Sequence, residues 1–145
     1  MDKDNDQDAQ EPYRLDRQVG FILRRASQRH LSIFSELIPE VTPTQFAVLA
    51  KLVETGALSQ NALGRITAMD AATIKGVVDR LVKRGLLTTV RDDKDKRRMI
   101  VGLSKEGRAL YRELEPRARL ITEQTLAPLE QHEQEAFLAM LARIC

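Results

Sequence analysis

The chain has 145 residues, enough for one domain with a real core, and 43% of them are apolar while 30% carry charge. No apolar run approaches the roughly 18 residues that a membrane span needs, and the single cysteine, Cys145, cannot close an internal disulfide; a cytoplasmic setting is the simplest expectation. The net charge of +2 hides a division: residues 1–11 sum to −4, 12–63 to +2, 64–108 to +6 and 109–145 to −2. A basic middle between acidic ends suits a polyanion partner, nucleic acid being the common one, or else a merely solvated surface.

Residues 1–11, MDKDNDQDAQE, read as a disordered acidic tail, opposite in charge to a secretory signal. From about Tyr13 to Leu37 the apolar residues Val19, Leu23, Ala26, Ile33 and Leu37 recur at helical spacing, and Pro39 closes that helix. Thr42-Pro43-Thr44-Gln45 combines a capping threonine, proline at the first helical position and glutamine three residues on. The helix it starts carries Phe46, Leu49, Ala50 and Val53 and stops at Gly56. Ser59 caps a short helix through about Ile66, and Asp70 caps another that runs to about Arg84 before Gly85.

Two strand-like runs follow, Leu86–Arg91 and Met99–Leu103, and every residue from Arg91 to Arg98 between them is charged. Ser104 caps a long helix with Leu110, Leu114, Ile121 and Thr125 on one face and a kink expected at Pro116. After Pro128 a last helix places Phe137, Met140, Leu141 and Ile144 on one side. Two short helices followed by a two-stranded hairpin make the winged variant of helix-turn-helix.

In such a fold the helix after Asp70 lies in the DNA major groove. Ile74, Val77, Val78 and Leu81 face the core, leaving Ala71, Ala72, Thr73, Lys75, Gly76 and Arg80 outward. Small residues let the helix seat deeply, Thr and Ala meet thymine methyls, and Lys75 reaches a guanine edge or a phosphate. Gly76 costs a helix about 1 kcal/mol relative to Ala, which either a close approach of DNA or tight helix packing would explain. The charged tip brings Arg97 and Arg98 toward the narrow minor groove, where the negative potential is deepest. Asp95, two residues before Arg97, is placed to hold that arginine. Mixed charges that keep an exposed sheet edge from pairing are the plainer account of such a tip.

These residues carry a family resemblance. Asp95-Lys96-Arg97, Leu103-Ser104-Lys105-Glu106-Gly107, Asp79-Arg80-Leu81 and the Arg-Gly-Leu-Leu at 84–87 match the hallmarks of the MarR family of bacterial transcription factors. The chain resembles that family over about residues 13 to 144. Lys96 departs from it, standing where many relatives have the first arginine of D-R-R, which keeps the charge and loses the fork geometry. The resemblance implies a mainly α homodimer with a dimerisation helix at 12–38, a winged helix-turn-helix lobe at 42–103 and dimerisation helices at 104–145. It also implies an operator with half-sites about one helical turn apart. Ser59, Gln60, Arg80 and Arg98 would hold phosphates.

Family members usually leave DNA when a small molecule, often an aromatic acid, binds between the dimer helices and the lobe. In LRRASQRHLSIF, His30 falls on the apolar stripe, Arg29 on its flank and Arg25 one turn earlier. Three potential cations beside a half-buried stripe suit a carboxylate, and Phe46 is the expected aromatic contact. The stretch resembles that of aromatic-acid-catabolism regulators within the family. Pairing of the arginines with Glu113, Glu115 or Glu123 across a dimer is the competing account, and a satisfied core histidine is the competing account of His30.

Some relatives sense redox state through a cysteine in the first helix; that helix has none here, and Cys145 lacks the electropositive, structured setting of a reactive thiol. A winged-helix protein-interaction module would carry a neutral recognition helix and a wing without arginine, whereas this chain has Lys75, Arg80, Arg97 and Arg98. Enzyme motifs do not assemble. His132-Glu133-Gln134-Glu135-Ala136 lacks the second histidine of a zinc-protease motif, and Asp92, Asp93 and Asp95 lack the rest of a calcium loop. No metal or cofactor is expected.

Overall fold

The computed structural model describes residues 10–145, so residues 1–9 of the acidic tail lie outside the described residues. A 3-10 turn at Leu15–Arg17 precedes helix α1, Val19–Leu37. The unbroken helix expected from about Tyr13 is therefore interrupted at Gln18, whose backbone is extended with φ −87° and ψ 136°. The 3-10 turn buries no side chain, so no packing holds those residues in register with α1.

Helix α2, Pro43–Thr55, begins with a reciprocal cap. The Gln45 N–H donates to Thr42 Oγ1 at 3.2 Å, and the Thr42 N–H donates to Gln45 Oε1 at 3.1 Å. Strand β1, Leu58–Ser59, leads into α3, Gln60–Ile66, and α4, Ala71–Lys83. Strands β2, Leu87–Arg91, and β3, Met99–Leu103, form the wing, followed by α5, Lys105–Leu126, and α6, Gln131–Arg143. Helix α5 runs through Pro116 as one element. Leu114 and Ile121, both buried, anchor it to the core on either side of the proline.

The sheet has three strands rather than the two expected, in the order β1-β3-β2. Leu58 stands opposite Val101 and Ser59 opposite Ile100, while Leu87 pairs with Leu103 and Arg91 with Met99. A two-residue strand has no periodicity to detect and exists only because β3 offers a free edge.

The core sits where α2, α3, α4 and the sheet meet α5. Val48, Leu49, Leu52, Leu63, Ile74, Val77, Val78, Leu81, Val101 and Leu114 are all buried. Two glycines permit close approaches. A Cβ on Gly64 would stand 3.1 Å from Ile74 Cγ2, so α3 and α4 pack with little between them. A Cβ on Gly107 would overlap the Leu86 carbonyl oxygen. At the same joint the Ser104 N–H donates to Leu86 O at 3.1 Å and the Ser104 hydroxyl to Gly85 O at 2.6 Å. The Leu-Ser-x-x-Gly pattern thus seats α5 against the turn between α4 and β2.

Arg117 ties α1 to α5, donating to Leu37 O at 3.1 Å and to Glu40 Oε1 at 2.9 Å. The Arg117 hydrogen bond, helped by the Glu40 backbone N–H, holds the Glu40 carboxyl below the usual carboxylate range. Helix α6 buries no residue, and Phe137, Leu138, Met140 and Ile144 remain exposed, as do Val19, Ile22 and Leu23 on α1.

Candidate nucleic-acid interface and effector pocket

Asp70 starts α4 by accepting the Thr73 N–H at 2.7 Å. That bond to a backbone donor is the main reason its carboxyl lies below the usual carboxylate range. The helical period then sorts the side chains. Ile74, Val77, Val78 and Leu81 are buried, while Ala71, Ala72, Thr73, Lys75 and Arg80 are exposed and Gly76 is half-buried. Lys75 Nζ is held by Asp79 Oδ2 at 2.8 Å, a pair one helical turn apart that the spacing allows and the charge pattern did not single out.

At the wing, Arg97 is 93% exposed. Asp95 Oδ1 accepts both its backbone N–H, at 3.1 Å, and its Nε, at 3.3 Å, so one carboxylate sets both the main chain and the guanidinium. The backbone is pinned further: Asp92 N–H donates to Arg98 O at 3.0 Å, and Arg98 N–H to Asp95 O at 2.9 Å. Arg91 Nη1 donates to Lys96 O at 2.8 Å, an internal brace with no signal in the sequence. The acids of this tip therefore order its bases. Ser59, Gln60, Arg97 and Arg98 line a common small cleft with Asn61 and Met99, so the start of α3 and the tip of the wing form one surface.

The four residues expected around an effector do not share one cavity. An open cavity of about 360 Å³ lies between α1, α5 and α6, lined by Leu23, Ala26, His30, Thr122, Phe137 and Leu141 among others. His30 alone of the four lines it, with Nδ1 2.9 Å from Thr125 Oγ1. Arg29 instead donates to Thr125 O at 2.6 Å and Gln124 O at 2.7 Å, the last carbonyls of α5. Within the chain Glu113 pairs with Arg117 and Glu115 with Arg119. A cation at a helix C-terminus meets the negative end of the helix dipole. Arg25 lies over the Phe21 ring, 5.8 Å from its centre. Phe46 packs inward between Phe34, at 6.3 Å, and Tyr111, at 5.9 Å. Among the described residues there is no cluster of side chains suited to a metal ion, and no helix is long and apolar enough to cross a membrane.

This architecture has close counterparts. The repressor NicR of Pseudomonas putida, an HTH-type transcriptional repressor, is 40% identical over 135 residues, 92% of this chain and 85% of its own length. A probable transcriptional regulator from Pseudomonas aeruginosa is 53% identical with a TM-score of 0.89, covering 91% of this chain and 100% of its own. Bordetella bronchiseptica BpsR, whose DNA binding is regulated by 6-hydroxynicotinic acid, is 41% identical with a TM-score of 0.88, covering 92% of this chain and 96% of its own. The MarR family model matches residues 40–98, from the loop after α1 through the wing tip. The chain belongs to the MarR family of winged-helix DNA-binding transcriptional regulators, which are not enzymes.

Proposed function

We propose that the chain is a cytoplasmic repressor that binds a pseudo-palindromic operator as a homodimer and leaves it when a small aromatic carboxylate, or its thioester, binds beside His30. The DNA half rests chiefly on Arg97, exposed yet oriented through two hydrogen bonds to Asp95. An arginine ordered before binding loses less entropy when it enters a groove. Helix α4 supplies Ala71, Ala72, Thr73 and Lys75 to the bases, and Ser59, Gln60 and Arg98 hold phosphates. The exposed apolar side chains of α1 and α6 support the dimer, because water is a poor neighbour for them and a second copy covers them.

The effector half rests on the cavity. Its walls are mainly apolar and its volume lies in the range of small-molecule sites. His30 uses Nδ1 on Thr125 and keeps Nε2 for a ligand oxygen. Arg29 supports the wall from behind by holding the last turn of α5. That NicR is a repressor, and that a ring acid regulates DNA binding by BpsR, favours the same class of signal here.

Fluorescence anisotropy tests both halves, using a duplex from upstream of the chain's own gene, several salt concentrations and a panel of aromatic acids with their coenzyme A thioesters. Tight, salt-dependent binding relieved by one compound is the expected result. Binding that no compound relieves removes the effector half. Absence of sequence-specific binding removes the operator.

A further inference from the structure

The glycine inside the DNA-facing helix has a neighbour that explains it. A Cβ at Gly76 would stand 3.2 Å from Arg80 Nη2, 3.6 Å from Nη1 and 3.7 Å from Cζ. The three nearest atoms all belong to one guanidinium, so this group lies flat over the glycine. Helical side chains lean toward the N-terminus and cover the residue four positions earlier; here the missing side chain lets Arg80 lie against the helix itself. The other close glycines differ, since Gly64 faces Ile74 and Met69, and Gly107 faces Leu86. Packing against another element therefore does not account for Gly76, although glycine is less favourable than alanine inside a helix. Lys75 on the same face is tied to Asp79, whereas Arg80 has no hydrogen-bond or ion-pair partner among the described residues.

We infer that Gly76 is a positioning residue and Arg80 a base-reading one: the glycine lets the arginine lie back along α4, toward the end of the helix that meets the base edges. This rests on the reading of α4 as the major-groove helix. An arginine so placed presents its fork to a guanine, whose O6 and N7 accept both donors. A methyl group at 76 requires only the far end of a flexible side chain to give by a few tenths of an ångström, so the fold survives while the guanidinium is lifted off the helix and its fork loses alignment.

The test is a double-mutant cycle on the full chain, read by anisotropy against a duplex that the native protein selects from a randomised pool. Gly76→Ala and Arg80→Ala should each weaken binding about tenfold. Because both remove one contact, the double variant should be no more than about twofold weaker than Arg80→Ala alone. Reselection with either single variant should lose preference for the same base pair in each half-site. Gly76→Ala should melt at or above the native temperature, and in an Arg80→Lys background it should add almost nothing. Native affinity in Gly76→Ala overturns the inference, as does a lowered melting temperature. A double variant weaker by the product of the single effects, about a hundredfold, also overturns it, since Gly76 would then serve a close approach of DNA to the backbone. A native chain that selects no sequence overturns the operator reading itself and this inference with it.

Discussion

Replacing Gly107 by alanine adds one methyl group at the most crowded joint in the molecule. The new carbon would overlap the Leu86 carbonyl oxygen and stand 3.3 Å from Leu103 Cδ2. That carbonyl cannot turn away freely, because it accepts the Ser104 N–H, and Gly85 O next to it accepts the Ser104 hydroxyl. Relief requires moving the start of α5 off the turn, which breaks both bonds at about 1 kcal/mol each. Residual overpacking adds about 1–3 kcal/mol, and the better helix propensity of alanine returns at most about 1 kcal/mol. The expected net loss is about 2–4 kcal/mol, a melting-temperature drop on the order of 10 °C for a chain of this size. Urea unfolding followed by circular dichroism measures it, at one fixed protein concentration because the proposed dimer would make stability concentration-dependent. The midpoint should fall while the slope stays constant. Ser104→Ala, which removes the cap and the hydroxyl's bond to Gly85 O but adds no overlap, should cost less, about 1–2 kcal/mol. A Gly107→Ala protein as stable as the native one would refute this account of the joint.

Arg97→Ala should weaken operator binding by about 1–3 kcal/mol and reduce the salt dependence by about one phosphate contact; melting should not change, since its pair with Asp95 is exposed. Asp95→Ala should show a smaller loss of affinity, because the charge on Arg97 remains. Arg29→Ala removes two bonds to the end of α5, which should cost about 1 kcal/mol in urea unfolding. It should leave DNA affinity within about twofold while weakening release by the effector; unchanged stability and an unchanged response would show that Arg29 holds nothing. Asp70 has a lowered pKa in the folded chain, so its cap stabilises above the ordinary aspartate pKa and is lost as pH falls through the depressed value. The stability of Asp70→Asn relative to the native chain should therefore improve below about pH 4, and a constant gap in acid-unfolding curves would disprove the assignment.

Much of the fold was legible because its signals are local. Thr42, Ser59, Asp70 and Ser104 each accept a backbone N–H three residues on, and a cap of that kind depends on neighbours in sequence alone. The buried face of α4 followed equally from its spacing, with Ile74, Val77, Val78 and Leu81 all inside. The wing was visible as a charged tip between two apolar runs, and Asp95 lies close enough in sequence to Arg97 for their pairing to be anticipated.

Whatever depended on residues far apart along the chain was decided by the tertiary structure. Strand β1 comes from the free edge of β3, not from any pattern in Leu58–Ser59. Arg29 looked like a ligand or interface cation, and its bonds to the carbonyls of Gln124 and Thr125 appear only once α5 is in place. Phe46 looked available to a ligand, and its packing between Phe34 and Tyr111 of other helices had no signal in the sequence. Gly107 was only a family letter until the Leu86 carbonyl was found in the space its side chain would fill. Caps, periodicity and charge runs were set by the sequence by itself, because each is an interaction within a turn or two. Which cations stay free, which apolar groups find cover and where a glycine is required were set by packing, because those answers lie in atoms that only the folded chain brings together.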